Sequence, residues 1–192
     1  LEDADVVIHD HLVSAAILSF IPNRAERVYV GKWAGESLKT QEEIGDLLVN
    51  YAQRNLRVVR LKGGDVFLFG RGGEECSRLK EACISYEIVP GVSSALAVPA
   101  YAGVPVTDRR IASSLVVVTG HDGIDVEKSR VDWERLASAG DTLVILMGTR
   151  KVADITKQLM DFGKPPDTPA AMIFWGTTGR QDTRVSTLRD LA

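Results

Sequence analysis

The chain has 192 residues, 45% hydrophobic and 26% charged, with a formal net charge of −3. That balance suits an ordinary globular protein of one domain or two modest ones, and its sign offers nothing to nucleic acid or to an anionic membrane. The longest apolar runs, "SLVVVTG" (114–120) and "TLVILMG" (142–148), are far too short to span a bilayer.

In chain order, the opening "LEDADVVIHD" reads as the end of a helix running into a strand, "VVIH" at 6–9. An α/β domain rarely begins that way, so a preceding N-terminal strand and its loop are expected to be missing from this stretch. Further apolar, β-branched runs predict strands at 27–31, 57–62, 86–91, 114–120, 142–148 and 170–176. Helical periodicity fills the gaps. Residues 40–55 carry Ile44, Leu47, Leu48 and Tyr51 on one stripe, and Thr40 with Glu43 fits a capping box. "GEECSRLKEACI" repeats the pattern with Cys76, Leu79 and Cys83. "RKVADITKQLMDFG" does so with Val152, Ile155, Leu159 and Phe162, and ends on Gly163 as a C-cap.

Strand–helix alternation argues for an α/β fold with mostly parallel sheets. The stretch "PAYAGVPVTDRRIASS" breaks the rhythm with its prolines and Gly103, and it divides the chain into two α/β domains, 1–106 and 107–192. The two cysteines, placed on one helix, are two turns apart and out of disulfide reach. With no histidine cluster beside them no metal site is expected, and reduced cysteines point to the cytoplasm.

The residues at the strand ends are more telling. These ends carry Asp10, then Gly31 with Lys32, then Gly63-Gly64-Asp65, then Pro90-Gly91 with Ser93 and Ser94, then Met147-Gly148, and then Gly176. In open parallel sheets the ligand crevice lies beyond the carboxyl ends of the strands. Each signal alone has a plainer reading. Gly63-Gly64 fits a turn, Asp65 a cap, Lys32 a solvated charge, Ser93-Ser94 a helix start, Met147 core, and His121 a loop. In "RLKGGDVFLFGRGGEE" (60–75) no Lys-Ser/Thr comes after the glycines, and G-x-G-x-x-G is absent after every expected strand. Glu74 and Glu75 suit a helix N-terminus rather than a phosphate.

That block, with "DHLVS" (10–14), "VGKWAG" (30–35), "PGVSSALAVPAYAGVP" (90–105) and "LMG" (146–148), resembles the tetrapyrrole methylases over nearly the whole chain, and among them the enzymes that methylate uroporphyrinogen III. The resemblance implies two α/β domains with a cofactor cleft between them, a homodimer, and S-adenosylmethionine as methyl donor, leaving S-adenosylhomocysteine. It further implies methylation of uroporphyrinogen III at C2 and C7 to precorrin-2, on the route to sirohaem and cobalamin.

Carried over by motif, Gly63, Gly64, Asp65, Leu68, Ser93, Ser94, Met147 and Gly176 become cofactor contacts, and Asp10 and Lys32 take acid–base roles. The octacarboxylate substrate calls for local basic residues, for which Arg71, Arg109 and Arg110 are the candidates. Three positions depart from the family pattern: His11 and Trp33 where arginines are usual, and Val66 where proline is usual. The family's N-terminal Gly-x-Gly-Pro-Gly-Asp loop is not within these residues, and the chain stops a little short of the usual end. Two other readings stay open: a methylase acting on a later precorrin, and a non-catalytic tetrapyrrole- or nucleotide-binding module.

Overall fold

The computed structural model describes residues 1–31, 39–120 and 131–191. Lys32, Trp33 and His121 lie outside the described residues. The chain forms two compact units, Leu1–Val92 and Ser93–Ala192. The division expected near residue 106 falls inside the second unit, after its first helix, which packs as one body with the residues after it.

In the first unit, β1 (Val6–His9) is the centre of a parallel three-stranded sheet, flanked by β2 (Glu26–Tyr29) and β3 (Val58–Leu61) in the order β2-β1-β3. Val6 faces Glu26 on one side and Val58 on the other, so the three strands end level. Successive residues of a strand point to opposite faces, and here both faces are closed. Val6 and Ile8 pack with Val30, Ile44 and Leu48. Val7 packs on the other face with Ala4, Ile21 and Ala25. Such two-sided burial explains why "VVI" is continuously apolar rather than alternating.

The helices are α1 (Ala15–Leu18), α2 (Gln41–Gln53) and α3 (Gly72–Glu81). Helix α2 starts at the predicted capping box: Thr40 Oγ1 accepts from Glu43 N–H at 3.2 Å, and the Glu43 carboxylate accepts from Thr40 N–H. Its inward stripe holds Ile44 and Leu48, as the periodicity requires.

The second unit begins with α4 (Ser94–Tyr101). It continues with the parallel pair β4 (Leu115–Thr119) and β5 (Thr142–Leu146), α5 (Trp133–Ser138), a 3-10 turn at Thr149–Lys151 and α6 (Val152–Asp161). It closes with an antiparallel pair, β6 (Pro169–Phe174) and β7 (Asp182–Thr187). Its core joins Trp133 and Ala137 of α5 to Ile155 and Leu159 of α6, with Leu188. Gly163 comes after α6 with φ +94°, and Lys164 N–H returns to Leu159 O at 2.9 Å, the expected glycine stop.

Four expectations change. The run 86–91 is not a strand: Pro90 has no N–H to give, and no strand among the described residues lies beside it. Strand β7, mostly polar, was not expected, and its pairing is antiparallel. Cys83 lies beyond the end of α3 with φ +55°, exposed, so the buried position of that helix belongs to Glu75 instead of a cysteine stripe. Phe162, expected on the inward stripe of α6, is its exposed C-cap.

Ile8→Ala should lower unfolding free energy by about 2–5 kcal/mol, since the closed site cannot collapse around the void; urea denaturation followed by circular dichroism measures it. In the second unit, Asp141 accepts from the N–H and hydroxyl groups of both Ser113 and Ser114 at 2.8–3.1 Å. These bonds, the Ser113 N–H foremost, hold its carboxyl below the usual aspartate range. A lowered folded pKa contributes stability above the unfolded value, and that contribution is lost as pH falls through the folded one. Asp141→Asn should therefore lower Tm at neutral pH, and the gap to wild type should narrow progressively in scans below about pH 4.

Candidate active site

Because β1, β2 and β3 are parallel and level, their carboxyl ends form one edge. Asp10 leaves β1 there. Its Oδ1 accepts from Leu12 N–H at 3.0 Å, which turns the chain sharply after the strand. Gly63, just past β3, lies against that turn: a Cβ on it would come within 2.9 Å of Leu12 Cβ. The structure thus brings Asp10 and Gly63 together.

Gly64 adopts φ +72°, where a side chain would be strained. Its carbonyl approaches Gly91 so closely that a Cβ on Gly91 would sit 2.1 Å from Gly64 O. Asp65 fastens the same contact. Its Oδ1 accepts from Phe67 N–H at 2.9 Å and Leu68 N–H at 3.0 Å, and its Oδ2 from Gly91 N–H at 3.3 Å. Those bonds, led by Phe67, hold the Asp65 carboxyl below the ordinary range, so it is a half-buried anion at neutral pH. Phe67, Leu68 and Phe69 come next on the surface. A fixed anion beside exposed apolar side chains fits a ligand with both a cationic and an apolar part.

In the second unit, Ser93 caps α4, its Oγ accepting from Ala95 N–H at 3.2 Å, and Ser94 is the first helical residue. Gly176 lies against that helix, since a Cβ there would meet Val98 at 2.4 Å. Met147 and Trp175 stand one residue beyond β5 and β6, with φ +58° and +48°. Both are bulky, exposed (58% and 59%) and left-handed. That backbone costs about 1–3 kcal/mol per residue and clusters at functional sites. The Arg180 guanidinium lies over the Trp175 ring at 4.1 Å. A cleft of about 450 Å³ lined by Leu96, Ala100 and residues 103–107 holds no titratable side chain, so it lacks acid–base groups.

Two of the three candidate arginines are already engaged. Arg71 makes a two-pronged pair with Glu74 at 2.7 Å, and Arg110 pairs with Asp108 at 2.9 Å. Arg109 is exposed and has no ion pair among the described residues. The residues that sequence reasoning missed are Arg60 and Lys62. They stand two apart, so they share the face of β3 that looks to α3, where Glu75 meets both. Two cations inside an apolar strand were the available signal, because such charges need a buried partner.

A profile of the Tetrapyrrole (Corrin/Porphyrin) Methylases matches residues 1–192. The chain belongs to that family. The methylase is 47% identical over its full length to the S-adenosyl-L-methionine-dependent uroporphyrinogen III methyltransferase of Methanosarcina barkeri, and spans 75% of that protein. It is 46% identical to the uroporphyrinogen-III C-methyltransferase of Methanocaldococcus jannaschii, spanning 78% of it. Against a siroheme synthase of Actinobacillus pleuropneumoniae the identity is 46%, but the methylase spans only 39% of that longer protein. Among solved structures, the Thermus thermophilus uroporphyrin-III C-methyl transferase complexed with S-adenyl homocysteine superposes with a TM-score of 0.82 at 36% identity, covering 98% of this chain and 78% of that one.

Asp65→Ala should release the Phe67, Leu68 and Gly91 amides together. Hydrogen exchange should then speed at all three, while amides of β1 keep their wild-type protection.

Proposed function

We infer that this tetrapyrrole methylase transfers methyl groups from S-adenosylmethionine to uroporphyrinogen III, at C2 and then C7, to give precorrin-2. The reading includes a homodimer working in the cytoplasm. Among the described residues no helix is long and apolar enough to cross a membrane. The observation that carries the reading is Asp10 at the carboxyl end of the buried central strand, on the edge where Gly63-Gly64-Asp65 also ends.

S-adenosylmethionine supplies an electrophilic methyl group on a sulfonium. The residues proposed to contact it are Gly63, Gly64, Asp65, Leu68, Ser93, Ser94, Met147 and Gly176. Asp65 remains ionised at neutral pH and suits the cationic end or a ribose hydroxyl. Leu68 and Met147 offer apolar surface. A pyrrole carbon of the substrate is itself the nucleophile, so the protein contributes alignment and exclusion of water. A proton must then leave the methylated ring system, and Asp10 is its acceptor. Oδ1 is committed to Leu12 N–H, which leaves Oδ2 to take the proton. Lys32 is assigned the complementary donor role, and Arg109 contacts a substrate carboxylate.

Mass spectrometry of products from uroporphyrinogen III should show addition of one and then two methyl groups. Methylation of a later precorrin with none of uroporphyrinogen III would overturn the substrate assignment. Absence of calorimetric heat with S-adenosylhomocysteine at tens of micromolar would remove the enzyme reading in favour of a binding module. Asp10→Asn should lower kcat by about 10²–10⁴, the usual weight of a general base, with S-adenosylhomocysteine affinity retained.

A further inference from the structure

Glu75 is 5% exposed and is the one buried carboxylate among the described residues. Its Oε1 accepts from Gln41 Nε2 at 2.9 Å, Arg60 Nε at 3.2 Å and Lys62 Nζ at 3.0 Å. Both cations are nearly buried, Arg60 at 12% and Lys62 at 8% side-chain exposure. Arg60 Nη1 is spent on the carbonyls of Ile8 and Leu61, at 3.3 and 3.0 Å. Its Nη2 faces Asp10 Oδ2 at 3.9 Å, the outer limit of an ion pair. Asp10 is therefore the fourth member of a cluster with two positive and two negative groups, and the only member whose closest charge contact is a long one.

We propose that Glu75 is a positioning residue that keeps the Asp10 carboxylate at a distance from Arg60 and Lys62 by taking up their charge itself. This rests on the reading of Asp10 as proton acceptor. The physical reasoning is competition between two anions for two poorly solvated cations. Buried charges seek partners strongly, because leaving one unpaired is far costlier than leaving one at the surface. With Glu75 ionised, Arg60 and Lys62 are satisfied from the α3 side. Without it, Asp10 Oδ2 is the remaining carboxylate in the cluster, and Arg60 Nη2 already points at it. A closer ion pair there occupies the oxygen that has to receive the proton. The prediction is a loss of turnover without a loss of cofactor binding, since Glu75 touches none of the residues assigned to S-adenosylmethionine.

The test compares wild type, Asp10→Asn, Glu75→Gln and the double variant Glu75→Gln/Arg60→Met in steady-state methylation of uroporphyrinogen III, with S-adenosylhomocysteine affinity by calorimetry and Tm on each sample. Glu75→Gln is expected to lose about tenfold or more in kcat, a share of the general-base contribution, with KM and S-adenosylhomocysteine Kd unchanged. The double variant removes Arg60, the cation that faces Asp10, along with the anion and is expected to recover most of the lost kcat. Wild-type kcat in folded Glu75→Gln overturns the proposal. So does a parallel loss of kcat and cofactor affinity, or a double variant no better than the single one, because each is what a purely structural role gives. If Glu75→Gln does not fold, Glu75→Asp decides, since it keeps the charge but draws it back from Arg60. Reduced kcat at unchanged Kd supports the proposal, and wild-type kcat overturns it. Full turnover in Asp10→Asn would instead remove Asp10 as acceptor, a separate failure visible in the same series.

Discussion

A strand covered on both faces has no freedom to slide. Val6, Val7 and Ile8 are all within 1% of complete burial, and each apolar side chain is met by a helix or loop on its own side. A slip of one residue would exchange the two faces and push the polar neighbours Asp5 and His9 into the core. The register with β2 and β3 is therefore set by hydrophobic burial, and with it the height at which all three strands stop. Asp10, Val30 and Lys62 owe their common level to that constraint rather than to any bond among their side chains.

Charge enters this first unit at its edge only under tight control. Arg60 and Lys62 are carried inside by the alternation of β3, which assigns Val59 and Leu61 to one face and the two cations to the other. Glu75 meets them from α3, and the helix can place it there because Glu75 sits in the first turn, where a carboxylate is also favoured by the exposed N–H groups. Asp65 solves a different problem. It stays at the surface and is occupied by three backbone N–H groups, so its charge is fixed in place by the main chain. The two acids separate the roles that a single sequence block combines: one is buried and balances cations, and the other is half-buried and shapes a loop.

Much of this was legible in the sequence. β1 stands where its apolar run placed it, and the capping box at Thr40 and the glycine stop at Gly163 depend on local chemistry that neighbouring residues fully specify. Gly63-Gly64 was legible as a turn, although the close approach it allows is to Gly91 of the same chain. The segment 86–91 was misread because a strand is defined by its partner, and propensity carries no information about whether one is there. Glu75 was read as a helix-start acid, which is true of its place in the helix. Its burial depends on Arg60 in β3 and Lys62 just past it, 15 and 13 positions earlier, a tertiary fact that helical periodicity assigned to Cys76 and Cys83 instead. Arg71 and Arg110 are engaged by Glu74 and Asp108, acids only three and two positions away, and spacing alone does not tell a paired arginine from an available one.

The left-handed residues after β5 and β6 have a stereochemical corollary. Met147 at φ +58° and Trp175 at +48° hold a backbone that is unfavourable for L-residues and is the ordinary helical region of their mirror images. At these two places the fold works against the handedness of its own building blocks, and a chemically prepared chain with the D-enantiomer at either position would relax the main chain where the natural one is strained.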